Sequence, residues 1–378
     1  MKFNKFIGFL CVAAFGVAAV SCSDDDPKWN DEGSKVDLPD SRVYILNEGT
    51  MAQNNAGIEF YNPSGVNDII SDIFYRQNSM SLGDVGQSMI EYNGYIYVSV
   101  YGSNYLSKLN SACVEEVRAL FSDDADLRGG IRYIDAEDGY IYASFYGGVV
   151  AKIDARTLEV KAKLNTGGSN LEGVAIEGDN LYVANSYTKA LDPETGKNKY
   201  IYHTDVFVID LKSFSLKETL VVAQNPNQLV EEDGKVFLIS WNYSAESYEL
   251  QLINPAANNA VTKLGYATNM AVGDDILYIV DSRTDYSVRP YVTTNTFSSY
   301  DIRRGQMISI SFLKDAPAEL STASVYMMAV DDKTGEIYIG TTNYSASNGD
   351  IYRFKRDGSF VEKFDCGGQN PKAAVFLH

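Results

Sequence analysis

The residues with both the chemistry and the spacing for binding are aromatic. Six loops carry one at comparable places: Tyr101, Tyr146, Tyr187, Trp241 with Tyr243, Tyr286 and Tyr344. Each follows a strand-like run whose own aromatic is Tyr97, Tyr142, Tyr182, Phe237, Tyr278 or Tyr338. The seventh run, with Tyr44, is followed by Asn47, Glu48 and Met51 instead. Aromatic rings with polar tips offer stacking area to a large amphipathic ligand. Two of the loops share Asn-Tyr-Ser-Ala, in "SWNYSAES" and "TTNYSAS", which adds Asn242 and Asn343 as hydrogen-bonding candidates. Arg283, with Arg289, Arg303 and Arg304, could bond carboxylates or amide oxygens, or pair with the many local acids. The competing explanation is packing: among 27 tyrosines, some fall in loops merely to cover a neighbour.

Acid–base and metal chemistry finds little support. The chain has two histidines, His203 and His378, the second of them terminal. No His/Cys/Asp group has zinc spacing, and no Gly-x-Ser-x-Gly elbow occurs. The acid pairs Asp123-Asp124 and Asp274-Asp275 sit in turn contexts and read as solvated. The expectation is a protein that is not an enzyme and has no metal or cofactor of its own.

The elements that must position these loops are short strands. From Val43 onward, β-branched and aromatic runs alternate with Gly, Asn and Asp, and no long stretch keeps a helical period. One strand recurs as "RVYILN", "YIYVSV", "YIYASF", "NLYVAN", "KVFLIS", "ILYIVD" and "EIYIGT". A short apolar run and a tight turn precede it, and two further strands follow. Four antiparallel strands repeated every ~40–45 residues specify an all-β, seven-bladed β-propeller. Six units open near Gln87, Gly130, Glu172, Asn227, Thr268 and Tyr326. The seventh lacks its opening strand, which the C-terminal "NPKAAVFLH" can supply, so residues 372–377 should complete the blade begun by 42–61. Two units carry insertions between their second and third strands, Asn185 to Asp205 and Asp281 to Gln306. Both should rise around one mouth, with "WNYSAES" on the floor between them.

The N-terminus has the form of an export signal. Lys2 and Lys5 precede an apolar run that ends Ala19-Val20-Ser21-Cys22, which resembles a bacterial lipobox. Residues 1–21 are read as the signal peptide, Cys22 as the lipidation site and 22–41 as a flexible acidic tether, with the propeller over 42–378. "SDDD" (Ser23 to Asp26) resembles a surface-export tag of Bacteroidota lipoproteins. The expected location is the outer membrane, exposed at the cell surface and held by lipid alone. Losing the two lysines of residues 1–21, which hold no acid, takes the formal charge from −18 to −20. Such a surface repels phosphate backbones, so nucleic acid is not an expected partner. Cys113 and Cys366 do not make a disulfide framework and read as small core residues.

Asn47-Glu48-Gly49, Asn55-Ala56, Phe60-Tyr61, Leu82-Gly83-Asp84 and Gln87-Ser88-Met89 carry a family likeness. Through them the chain resembles the YncE-like, surface-layer-type propeller lipoproteins of Bacteroidota. The best understood of these are the BtuG-type surface proteins, which capture cobalamin and pass it to a TonB-dependent outer-membrane transporter. The resemblance implies a non-enzymatic binder of a corrinoid ligand, anchored by Cys22. A protein-interaction or glycan-binding module is the alternative, and a lyase or cyclotransferase on a propeller ranks below both.

Overall fold

The computed structural model describes residues 29–378 apart from Asn67, Ser244 and Glu246. The signal segment, Cys22 and Ser23–Asp26 lie outside the described residues. Seven four-stranded antiparallel sheets follow one another around a ring. Blade 2 shows the pattern: an inner strand Gly86–Tyr92, a second strand Tyr95–Val100, a third Tyr105–Leu109 and an outer one Glu115–Leu120. Blades 3 to 7 open with inner strands Ile131–Glu137, Asn170–Glu177, Pro226–Glu232, Asn269–Gly273 and Val325–Val330. Blade 1 closes the ring. Its inner strand is the C-terminal Pro371–Leu377, paired antiparallel with Arg42–Asn47 through contacts such as Tyr44 with Val375. Closure of this kind leaves no free edge at the join.

The repeat dictates this arrangement. The recurring strand aromatics Tyr44, Tyr97, Tyr142, Tyr182, Phe237, Tyr278 and Tyr338 are all buried. They contribute to apolar clusters that lie between neighbouring blades rather than within one. Phe237, Ile239 and Leu250 of blade 5 meet Met270, Leu277 and Ile279 of blade 6. Val43, Ile45 and Tyr61 of blade 1 likewise meet Met327, Tyr338 and Ile351 of blade 7. A blade therefore buries its faces only against its neighbours, which makes the ring one cooperative unit. Asn93-Gly94, Asp138-Gly139 and Asp233-Gly234 each place two successive residues at positive φ, the backbone of a two-residue hairpin turn.

The two insertions are extensions of the blade hairpins rather than loops. In blade 4, Asn180–Leu191 pairs with Asn198–Asp210, with Tyr187 opposite Tyr202 and Leu191 opposite Asn198. In blade 6, Ile276–Asp285 pairs with Val292–Asp301 as far as Asp285 opposite Val292. Both rise from the face where second strands end.

Residues 29–41, expected to belong to a flexible tether, lie against the opposite face. Trp29, Val36 and Leu38 pack on the blade 1–2 cluster. Arg42 holds Asp31 through two guanidinium contacts of 2.6 and 2.7 Å. Ser111 Oγ donates to the Asn30 carbonyl at 2.7 Å, and Asn110 Nδ2 to that of Glu32 at 2.9 Å. A few apolar residues and a bidentate ion pair suffice to dock a segment whose composition is otherwise that of a linker.

Candidate functional site

The inner strands bring together a set of polar residues that loop-by-loop reasoning does not find. Six of the seven inner strands shift register near their start. The skipped residues are Gln87, Arg132 with Tyr133, Glu172 with Gly173, Asn227, Tyr326 and Lys372. A β-bulge re-aims a side chain out of the pleat. Arg132 bonds both Glu172 Oε2, at 2.8 and 3.0 Å, and Gln87 Oε1, at 2.6 Å. Burial opposes the Arg132 charge, but the Glu172 carboxylate outweighs it and raises the guanidinium pKa. Lys372 Nζ lies 3.4 Å from Glu48 Oε2, which also accepts from the Tyr326 hydroxyl at 2.7 Å. The sequence signal was present: a polar residue opens most units just before the apolar run.

Above this polar ring the loop aromatics form an arc. Successive ring centroids are 5.3 Å apart from Tyr101 to Tyr146, 6.0 Å from Tyr146 to Tyr187 and 6.5 Å from Tyr187 to Tyr202. The arc continues over 6.0 Å to Tyr243 and 6.3 Å more to Trp241. Its two ends differ. Tyr101 and Tyr146 lie over the Arg132 guanidinium at 4.6 and 4.7 Å, and the Tyr146 hydroxyl bonds Glu172. Gly130, at φ 108°, leaves room for the Tyr101 ring, which a Cβ there would meet at 2.5 Å. Burial first, and the Glu172 charge second, push the Tyr146 phenol pKa far up, so it stays a donor.

At the other end a cavity of about 890 Å³ opens among blades 5, 6 and 7 and reaches the axis. Trp241, Tyr243 and Tyr248 form one wall, Asp281, Arg283 and Tyr286 another, and Tyr344 stands at the blade 7 side. Tyr133, Tyr326 and Lys372 line it where it reaches the polar ring. The Trp241 motif is thus a wall, and the bulged residues are the floor. Among the described residues, three wall atoms are cut off from solvent without a hydrogen-bond partner: Trp241 Nε1, Asn269 Oδ1 and Asp281 Oδ1. An unmade buried hydrogen bond costs about 1–3 kcal/mol.

Of the loop residues singled out by spacing, the cavity collects Trp241, Tyr243, Arg283, Tyr286 and Tyr344. Tyr101, Tyr146 and Tyr187 lie along the arc outside its walls. Asn242 and Asn343 shape their turns: Asn242 Oδ1 accepts from the Ala245 amide at 3.2 Å, and Asn343 Nδ2 donates to the Asn348 carbonyl at 2.9 Å. The shared Asn-Tyr-Ser-Ala therefore specifies a turn. Arg283 holds Asp281 at 3.0 Å and lies over the Tyr266 ring. Arg303 and Arg304 are not at this mouth. They occupy the turn after the third strand of blade 6, on the opposite face, paired with Asp275 and Asp301. The reason is that the insertion ends where Val292–Asp301 takes up its ordinary blade position. Arg289 lies 3.8 Å above the Tyr291 ring at the hairpin tip.

The remaining candidates are dispersed. His203 bonds Thr188 Oγ1 at 2.7 Å, and His378 lies 2.8 Å from Asp331. Asp124 pairs with Lys163, and Asp274 with Arg356. Among the described residues, no cluster of His, Cys, Asp and Glu could hold a metal ion, and Cys113 and Cys366 are both free and buried.

No protein-family profile matches the sequence, and no curated protein does. Solved structures do. A quinoprotein-alcohol-dehydrogenase-like protein from Bacteroides thetaiotaomicron VPI-5482 superposes with a TM-score of 0.60 at 13% identity, over 89% of this chain and 78% of that one. Kuenenia stuttgartiensis hydrazine synthase gives 0.56 at 12% identity, over 72% and 77%. At these identities the likeness establishes the propeller fold, which is consistent with a binding or interaction module.

Proposed function

We propose that this protein captures a large amphipathic small molecule at the blade 5–6–7 mouth, and that the molecule is a corrinoid. The observation that carries the reading is the cavity of about 890 Å³, whose aromatic wall faces a polar one. That volume is near the upper end of the range for small-molecule sites. A corrinoid is a wide ring edged with amides, which suits Trp241 and Tyr243 on one side and Asn269, Asp281 and Arg283 on the other. Rigid hairpins around the mouth lower the ordering cost of binding. The resemblance to BtuG-type proteins supports the same ligand class and a role in supplying a TonB-dependent transporter.

Anchoring through Cys22 would bring the face bearing residues 29–41 toward the bilayer and turn the mouth outward, an orientation suited to capture. Transfer to a transporter in the same membrane then requires the docked segment to act as a joint. Calorimetric titration of cyanocobalamin into a soluble form spanning residues 23–378 tests the reading. Saturable heat that is lost or weakened in Trp241→Ala is the expected result, and no heat at micromolar protein would discard the corrinoid. A glycan array addresses the second reading, in which the arc from Tyr101 to Tyr243 stacks sugar rings or docks a protein.

A further inference from the structure

Among the described residues Lys372 is the one lysine lining the cavity, and its position is specified by the fold. It is the residue skipped in the closing strand, since Leu46 pairs with Ala373 and Asn47 with Pro371. The bulge re-aims its side chain from the sheet toward the axis. There, among the described residues, its ammonium meets one carboxylate oxygen, Glu48 Oε2 at 3.4 Å. Two ring faces lie near it, Tyr326 at 5.3 Å and Tyr133 at 6.0 Å, and the Arg132 charge is close enough to act against its own. The same Glu48 oxygen is also engaged by the Tyr326 hydroxyl, so the acid is shared between two donors. An ammonium carries three N–H donors. The carboxylate lies at the long limit of hydrogen bonding, while Lys372 itself lines the cavity. The other cation in the lining, Arg283, stands at the rim and is held by Asp281.

We infer that Lys372 is the specificity-determining residue of the cavity floor, and that it selects ligands whose deepest group carries an anionic oxygen, a phosphoryl or carboxylate. Glu48 plays the opposing part. It orients the ammonium and sets a threshold, because an incoming anion must compete with it for the same charge. The aromatic wall holds the apolar body of the ligand, and the floor reads its charged end. This rests on the reading of the mouth as a small-molecule site, and it adds which end of the ligand enters first.

Two corrinoids separate the terms. Cyanocobalamin carries a phosphodiester in its nucleotide loop, and cobinamide lacks that loop. Full-length protein purified in detergent is titrated with each, in the wild type, Lys372→Met and Glu48→Gln. A charge-assisted hydrogen bond contributes about 1.5–3 kcal/mol, so the wild type should prefer cyanocobalamin by roughly tenfold or more. Lys372→Met should abolish the preference by weakening cyanocobalamin alone. Glu48→Gln should widen it, an opposite change that a purely structural role for the pair does not produce. An unchanged ratio in Lys372→Met, or equal weakening of both ligands, overturns the inference while leaving the corrinoid reading intact. If the wild type binds neither corrinoid, that reading fails, and the floor is tested with inorganic phosphate at constant ionic strength. A rise in melting temperature present in the wild type and absent in Lys372→Met supports the anion site; no rise in either overturns it.

Discussion

The loops of blades 2 and 3 and those of blades 5 to 7 carry aromatics at the same step of the repeat and use them differently. Tyr101 and Tyr146 cover a buried cation, and the Tyr146 hydroxyl completes the shell of Glu172. Tyr243, Tyr286 and Tyr344 stand 49%, 58% and 61% exposed around a cavity. What differs is the partner beneath. In blades 2 and 3 the bulged Arg132 lies under the rings, whereas beside the blade 5 and 6 aromatics the space is left open as the cavity, with Gln228 and Asn269 in its lining. An aromatic position in a propeller repeat is therefore not itself a binding signal. It becomes one where the space beside the ring stays open rather than being filled by a side chain such as Arg132.

Substitutions on each side should separate these roles. Arg132→Met strands Glu172 as a buried unpaired acid and should cost about 3–5 kcal/mol of stability, read from chemical denaturation. The corresponding cavity change, Tyr243→Ala, should cost less than about 1 kcal/mol in the same assay, because its side chain is half exposed. Next in size, Tyr146→Phe should lose about 1.5–3 kcal/mol with its bond to the Glu172 carboxylate. Tyr344→Phe should leave stability unchanged within error. Equal losses in the two regions would break the distinction.

A control lies outside both. Glu59 of blade 1 is buried, with Oε1 accepting from the Asp72 amide at 2.9 Å and the Ser71 hydroxyl also acting on its carboxyl. Burial raises its carboxyl pKa from 4.5 to about 7. Between those values the folded state binds more protons than the unfolded one, so this group makes stability fall as pH rises through the window. Glu59→Gln should flatten the slope between about pH 4.5 and 7 without moving ligand affinity. An unchanged slope would show that Glu59 does not titrate there.

The fold was legible in the sequence because its signals are local and repeated. The strand aromatics, the Asn-Gly and Asp-Gly turns and the C-terminal match to a unit opening gave the blade number and the closure. Site legibility was uneven. Trp241, Tyr243 and Tyr286 follow from their place in the repeat and beside the insertions. Lys372 and Tyr326 do not, because they are the residues skipped in the register of their inner strands, which the alternation of the sequence does not reveal. Of the two readings open for Arg303 and Arg304, pairing with local acids is the one seen, because the turn after the third strand of blade 6 moves them to the other face. Residues 29–41 misled because composition cannot reveal that Asp31 finds Arg42.

The central claim is that the void over blades 5 and 6, and not the arc over blades 2 and 3, receives the ligand. Titration of cyanocobalamin into the wild type, Tyr243→Ala and Tyr146→Phe decides it. Affinity should fall by roughly tenfold or more in Tyr243→Ala, the value of one good aromatic contact, and stay at the wild-type value in Tyr146→Phe. Wild-type affinity in Tyr243→Ala together with a loss in Tyr146→Phe would place the ligand on the wrong side of the ring and contradict the claim.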